Sequence, residues 1–144
     1  LKECILGINS IIPFKKDFLV GIHIRKNGKL PSGENLLSVV KKLEKYKPMG
    51  IIVSCVSIED VAFVIKGLRK LKTPYGFKIN AFEHIPAGWK PDSNNPKVQL
   101  GKRKDLTPNK FAKICIKFNK LGAKILGGCC EITPSHIKEL KNLM

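Results

Sequence analysis

The stretch Ala123-Lys124-Ile125-Leu126-Gly127-Gly128-Cys129-Cys130-Glu131-Ile132-Thr133-Pro134-Ser135-His136-Ile137 decides how this chain is read. Ala123 to Gly128 is a short, largely apolar run ending in two glycines, which predicts a buried strand. Two adjacent cysteines follow it. Thr133-Pro134 then opens a helix, with proline at its tolerated first position. A strand that hands two thiols to a turn and then to a helix is a βα unit with chemistry at its carboxyl end. The paired glycines let the backbone turn tightly, so that two consecutive cysteines can face one point.

Upstream the same alternation repeats. Phe18 to Ile24 (FLVGIHI) predicts a first strand, followed by a turn at Asn27-Gly28. A helix comes next, with Leu36, Val39, Val40 and Leu43 on one face at the 3.6-residue period. Met49 to Cys55 (MGIIVSC) predicts a second strand. Ser57 caps the following helix, with Asp60 three residues on and Ile58, Val61, Ala62, Ile65 and Leu68 as its stripe. Tyr75 to Ala81 (YGFKINA) predicts a third strand.

The connection from Phe82 to Leu106 is rich in Pro, Gly, Asn and Lys. Loops of that length inside a compact domain are usually functional or mobile. Thr107-Pro108 starts a helix with Phe111, Ile114, Cys115, Phe118 and Leu121 on its apolar face, and Gly122 ends it. Ile137 and Leu140 mark the buried side of the last helix. The segment through Ile12 is expected to end a preceding helix.

Four strand-then-helix units predict an α/β fold with a parallel sheet and right-handed crossovers. A doubly wound open sheet and half of a (β/α)8 barrel both satisfy the pattern, since four units are half of the barrel's eight.

Composition narrows the function classes. With 43% hydrophobic residues the chain can bury a core. No apolar run approaches the ~18–20 residues that span a bilayer. The start Leu1-Lys2-Glu3-Cys4 has no secretory pattern, so a cytoplasmic setting is expected. The excess of 27 Lys+Arg over 11 Asp+Glu gives a formal charge of +16. Arg25, Arg69 and Arg103 are the only arginines, however, and the lysines are scattered along every segment. Nucleic-acid readers favour the bidentate guanidinium, or aromatics interleaved with the charges. A solvated lysine-rich surface, with neither nucleic acid nor membrane as partner, is therefore expected.

Of the five cysteines, Cys129 and Cys130 are adjacent, a poor disulfide framework. Neighbouring Cα atoms are only ~3.8 Å apart, short of the usual disulfide span. Cys55 stands at the carboxyl end of the second strand, and Cys129 and Cys130 at that of the fourth. In parallel α/β folds that edge carries the chemistry. Three thiols on one rim make a candidate metal site, with Zn2+ favoured by soft thiolates and a fourth position left open.

Cys115, on an apolar helical stripe, reads as core packing, and Cys4 has no evident partner. Asn80, at the mouth of the third strand, is a candidate substrate contact. His23 and Arg25 near the first strand's mouth are read as structural, and His136 as a cap or support. His84 and Trp89 in the long connection would cover the site or anchor the loop.

The string Gly127-Gly128-Cys129-Cys130 with Pro134, His136 and Ile137 resembles the GGCC-x-x-x-P-x-H-I signature of homocysteine S-methyltransferases. Ile51 to Cys55 with Ser57, Glu59 and Val61 is similar to that family's strand ending before a helix. Asn80-Ala81-Phe82, Leu100-Gly101, Asp105-Leu106-Thr107-Pro108 and Gly122-Ala123 resemble the segment that bacterial members carry between those cysteines. Ser54 stands where the family usually has Asn, and Glu131 where many members have Gly or Arg. The likeness covers about residues 15 to 143.

The resemblance implies a (β/α)8 TIM barrel whose Zn2+ is held by Cys55, Cys129 and Cys130. It implies homocysteine as acceptor and a methyl donor such as S-methylmethionine or S-adenosylmethionine, with methionine as product. Residues 1–144 are then expected to be the carboxyl-terminal half of the homocysteine-binding barrel domain. The amino-terminal half, which supplies much of the amino-acid pocket in this family, is expected to be missing. A non-catalytic zinc-binding remnant, a truncated chain or a unit that pairs with a partner half-barrel is the alternative.

Overall fold

Each apolar run identified above forms a strand, and each amphipathic stretch a helix. In the computed structural model, which describes residues 1–85 and 100–144, the strands are β1 (Leu19–Ile22), β2 (Gly50–Val56), β3 (Tyr75–Ile79) and β4 (Ile125–Gly128). The helices are α1 (Lys2–Ile11), α2 (Leu36–Leu43), α3 (Ile58–Leu68), α4 (Pro108–Lys120) and α5 (Pro134–Leu143). Trp89 lies outside the described residues. No described helix is long and apolar enough to cross a membrane.

Strand order settles the choice between the two architectures. All pairings are parallel, and the sheet runs β1-β2-β3-β4, each strand beside its successor in the chain. A doubly wound sheet reverses its order at a switch point. Here no reversal occurs, so right-handed crossovers lay the helices on one face. That is the winding of a βα barrel, of which four units are present.

Register assigns the two faces. Ile22 pairs with Val53, Val53 with Phe77 and Phe77 with Leu126, and this row packs under the helices. Val53, Phe77 and Phe111 of α4 are fully buried, and the Phe77 and Phe118 rings lie 5.7 Å apart. Burial of such side chains stabilises the fold by roughly 1.5–3 kcal/mol each. The opposite row includes Leu19, Gly21 and Lys78, all exposed.

Caps fix where the helices start. Asn35 Oδ1 accepts from the Leu37 and Ser38 amides, Ser57 Oγ from Asp60 N, and Thr107 Oγ1 from Lys110 N. Each such cap stabilises by about 0.5–2 kcal/mol. The α3 stripe is Val61, Val64, Ile65 and Leu68, whereas Ala62 is exposed, because 100° per residue carries it off the stripe. On α4, Ala112 is buried in place of Leu121, which lies past the helix end. On α5, Ile137 is exposed and Leu140 buried. β1 stops at Ile22 because the chain then turns back on itself, Arg25 N donating to Lys29 O at 2.8 Å. The described parts of the long connection run antiparallel beyond β3, with Phe82 opposite Lys102.

Candidate metal centre

Two backbone devices bring three thiols together. The first is a bulge at the end of β2. Ser54 pairs with Lys78 and Val56 with Ile79, so Cys55 is the extra residue between them. Its φ of 54° lies in the left-handed region, which costs a β-strand residue about 1–3 kcal/mol. Val56 thereby resumes the helix-facing row and is buried, while Cys55 is turned out of that row onto the rim.

The second device is the turn after β4. Cys129 N donates to Ile79 O at 2.7 Å, Ala81 N donates to Cys130 O at 2.9 Å, and Ile132 N returns to Cys129 O at 3.1 Å. The chain folds so closely over Gly128 that a Cβ there would stand 2.2 Å from Ile132 Cγ2. Only glycine fits. Glu131 takes a positive φ of 64° to complete the turn.

As a result Cys55 Sγ lies 3.8 Å from Cys130 Sγ, Cys129 Sγ lies 3.8 Å from Cys130 Sγ, and all three fall within 4.8 Å of one another. Asn80, from the end of β3 between the two turns, is only 3% exposed. Its Nδ2 donates to Cys55 Sγ at 3.8 Å, and its Oδ1 accepts from Phe82 N at 3.3 Å. None of the five cysteines is in a disulfide.

Electrostatics divide the three thiols. Burial, reinforced by Cys129, pushes Cys55 up to about 12. Burial and the neighbouring Cys129 also raise Cys130. Burial acts on Cys129 as well, yet hydrogen bonds from the Cys130 amide and the two other thiols, with the charge of Lys78, bring it below the ordinary thiol value. Cys129 is therefore the most readily ionised of three thiols that together make a soft donor set able to hold a metal ion.

The remaining residues singled out in the sequence serve other ends. His136 is buried; Thr133 N donates to its Nδ1 at 3.2 Å, so Nε2 carries the proton and donates to Leu106 O at 3.0 Å. It ties the last helix to the connection before α4. His23 Nδ1 meets Ser54 O at 3.2 Å on the exposed rim of β1. His84 is exposed and pairs through its amide with Leu100 O. Cys115 is fully buried on the inner face of α4, and burial raises its thiol to about 12. Arg103 is the residue sequence reasoning missed. Its Nη1 reaches Glu59 Oε1 at 2.8 Å, and its Nε reaches Asp105 Oδ1 at 3.1 Å. Its signal was a lone arginine in a connection otherwise supplied with lysine.

Consecutive parallel βα units, wound as in a barrel, carry a three-thiol cluster on their carboxyl rim that could hold a metal ion. The family model described as homocysteine S-methyltransferase matches residues 2–144, and the chain belongs to that family. Among solved structures, the oxidized form of the homocysteine methyltransferase MmuM from Escherichia coli is similar in fold, with a TM-score of 0.69 at 19% sequence identity. The match covers 95% of this chain and 40% of that one, so this chain spans less than half the neighbour's length. None of the curated proteins matches this chain.

Proposed function

We propose that the complete protein transfers a methyl group to the thiol of homocysteine, giving methionine, with zinc held by Cys55, Cys129 and Cys130. One observation supports this above the rest. Thiolates bound to one tetrahedral ion at ~2.3 Å lie about 3.8 Å apart, and two of the three sulfur pairs stand at 3.8 Å. The residues fit the ion. With one position left open, zinc supplies a Lewis acid that keeps a substrate thiol ionised near neutral pH.

The chain's own residues then hold and orient. The bulge at Cys55 and the glycine turn at Cys129-Cys130 aim three sulfurs at one point, and the Asn80 amide donates to Cys55. One Asn80 N–H remains free of that bond, and we assign it to contact with substrate. The substrate sulfur attacks the methyl carbon of a sulfonium donor such as S-methylmethionine or S-adenosylmethionine. The new S–CH3 bond forms as the donor's C–S bond breaks. The electron pair leaves on the donor sulfur as a neutral thioether, and the thiol proton passes to solvent. Because the cationic donor departs as a neutral thioether, no general acid is needed. The unpaired thiols suit a reducing, cytoplasmic setting.

A second reading is favoured by the sheet itself. Leu19, Gly21 and Lys78 are exposed on the face away from the helices, which a closed barrel would cover. On that reading this chain supplies metal and thiol capture only, as a non-catalytic half-barrel, and turnover awaits a complementary half-barrel.

Two measurements test the proposal. Homocysteine titrated into the cobalt(II)-loaded chain should strengthen the thiolate-to-metal absorption, whereas methionine should not. No response with all three cysteines intact would overturn it. Methionine formation from homocysteine and a sulfonium donor by this chain alone would rule out the non-catalytic reading.

A further inference from the structure

We infer that Arg103 is a positioning residue for the metal centre, clamping the turn that carries Cys55 to the segment that braces Cys130. This rests on the metal reading above.

The guanidinium uses its whole fork. Nη1 donates to Glu59 Oε1 at 2.8 Å and Oε2 at 3.1 Å, while Nε and Nη2 reach the two oxygens of Asp105 at 3.1 Å each. Lys110 Nζ closes on the same Asp105 carboxylate at 2.8 Å. The Arg103 side chain is 20% exposed, the least of this network.

Two routes lead from Arg103 to sulfur. Through its side chain it holds Glu59, in the first turn of α3. Only Val56, Ser57 and Ile58 separate that residue from Cys55, and the Ser57 cap stiffens the link. Through its backbone, Arg103 N donates to Ala81 O at 2.9 Å, and Ala81 N donates to Cys130 O at 2.9 Å. Lys102 Nζ, next door, stands 3.7 Å from Glu131, the residue after the cysteine pair. Arg103 is thus the shared anchor of two turns that are otherwise joined mainly through β3. A lysine cannot take its place, because a point charge cannot engage two carboxylates along a planar fork.

Exposed ion pairs contribute little to global stability, whereas groups that orient metal ligands typically change metal affinity 10- to 100-fold. Positioning therefore predicts a metal effect out of proportion to any melting effect. Zinc affinity, read by competition with a chromophoric chelator, is compared with thermal melting of the metal-free chain for Arg103→Met, Arg103→Lys and Glu59→Gln.

Arg103→Met and Glu59→Gln should each weaken zinc roughly 10-fold or more, with the double variant no worse than the weaker single. Arg103→Lys should recover only part of the loss, and Arg69→Met should lose nothing. Should Arg103→Met fail to fold, Glu59→Gln keeps the Asp105 contacts and carries the test. Lower melting with unchanged zinc affinity would make the clamp merely structural and overturn the inference while leaving the metal reading intact. A wild-type chain that binds no zinc would overturn both.

Discussion

Cys55 Sγ lies 3.8 Å from Cys130 Sγ, although 75 positions separate them in the chain. Their strands are not neighbours, since β3 runs between β2 and β4. The gap is bridged above the sheet, where the bulge carries Cys55 onto the rim and the Cys129-Cys130 turn hydrogen-bonds across the end of β3. The centre therefore depends on two turns whose shapes are set by single residues.

Gly128→Ala tests the second turn. The added Cβ would lie 2.2 Å from Ile132 Cγ2 and 2.6 Å from Ile132 Cβ. Overpacking of this kind costs roughly 1–3 kcal/mol. The expected outcome is a lower melting temperature together with weaker zinc binding, because the displaced turn carries two of the three sulfurs. Thermal melting and a zinc competition titration read the two effects.

Much of this arrangement is legible in the sequence. The apolar runs, the caps at Ser57 and Thr107, and the positions of Cys55, Cys129 and Cys130 at strand ends follow from composition and period alone. The bulge does not. Nothing in MGIIVSC marks Cys55 as left-handed, because that conformation is imposed by pairing with β3 rather than by local preference. Val64, and not Ala62, lies on the α3 stripe, as the 100° step per residue from Val61 requires. The Arg103 clamp stayed hidden because its partners, Glu59 and Asp105, approach from different elements. Strand order, which separates the singly wound from the doubly wound sheet, is a tertiary fact without a local signal.

Zinc uptake should release protons. Cys55 and Cys130 are held above the ordinary thiol value and Cys129 below it. Near neutral pH Cys55 and Cys130 thus keep their protons, which an ion must displace. Affinity should rise with pH by roughly 100-fold per unit on account of those two protons. Calorimetry in buffers of differing ionisation enthalpy measures the release directly. Uptake without release would contradict this assignment of charges.

Cys115 separates packing from ligation. It is fully buried on the inner face of α4. Cys115→Ser places a hydroxyl there without an evident partner, at a cost of about 1–3 kcal/mol. Melting should fall by several degrees while zinc stoichiometry stays at that of the unmodified chain. Loss of zinc in this variant would mean that the fourth thiol had been misread.

Acid should loosen the clamp. Burial raises Glu59, but hydrogen bonds from its own backbone amide and from Arg103 prevail and hold it low. Arg103 and then Lys110 hold Asp105 well below the usual carboxylate range. Both folded values lie below the unfolded ones, so the stabilisation is complete above that range and is lost as pH falls through the lowered values. These groups are largely solvated, so the effect is small. Comparing the acid limb of metal-free melting between the unmodified chain and Arg103→Met measures it, and the variant should show the shallower fall.

X-ray absorption at the zinc edge of the zinc-loaded chain bears most directly on the centre itself. Three sulfur scatterers at about 2.3 Å with one lighter atom are expected, with the sulfur count dropping in Cys55→Ser. A first shell of nitrogen and oxygen, or a sulfur count indifferent to residue 55, would contradict the account.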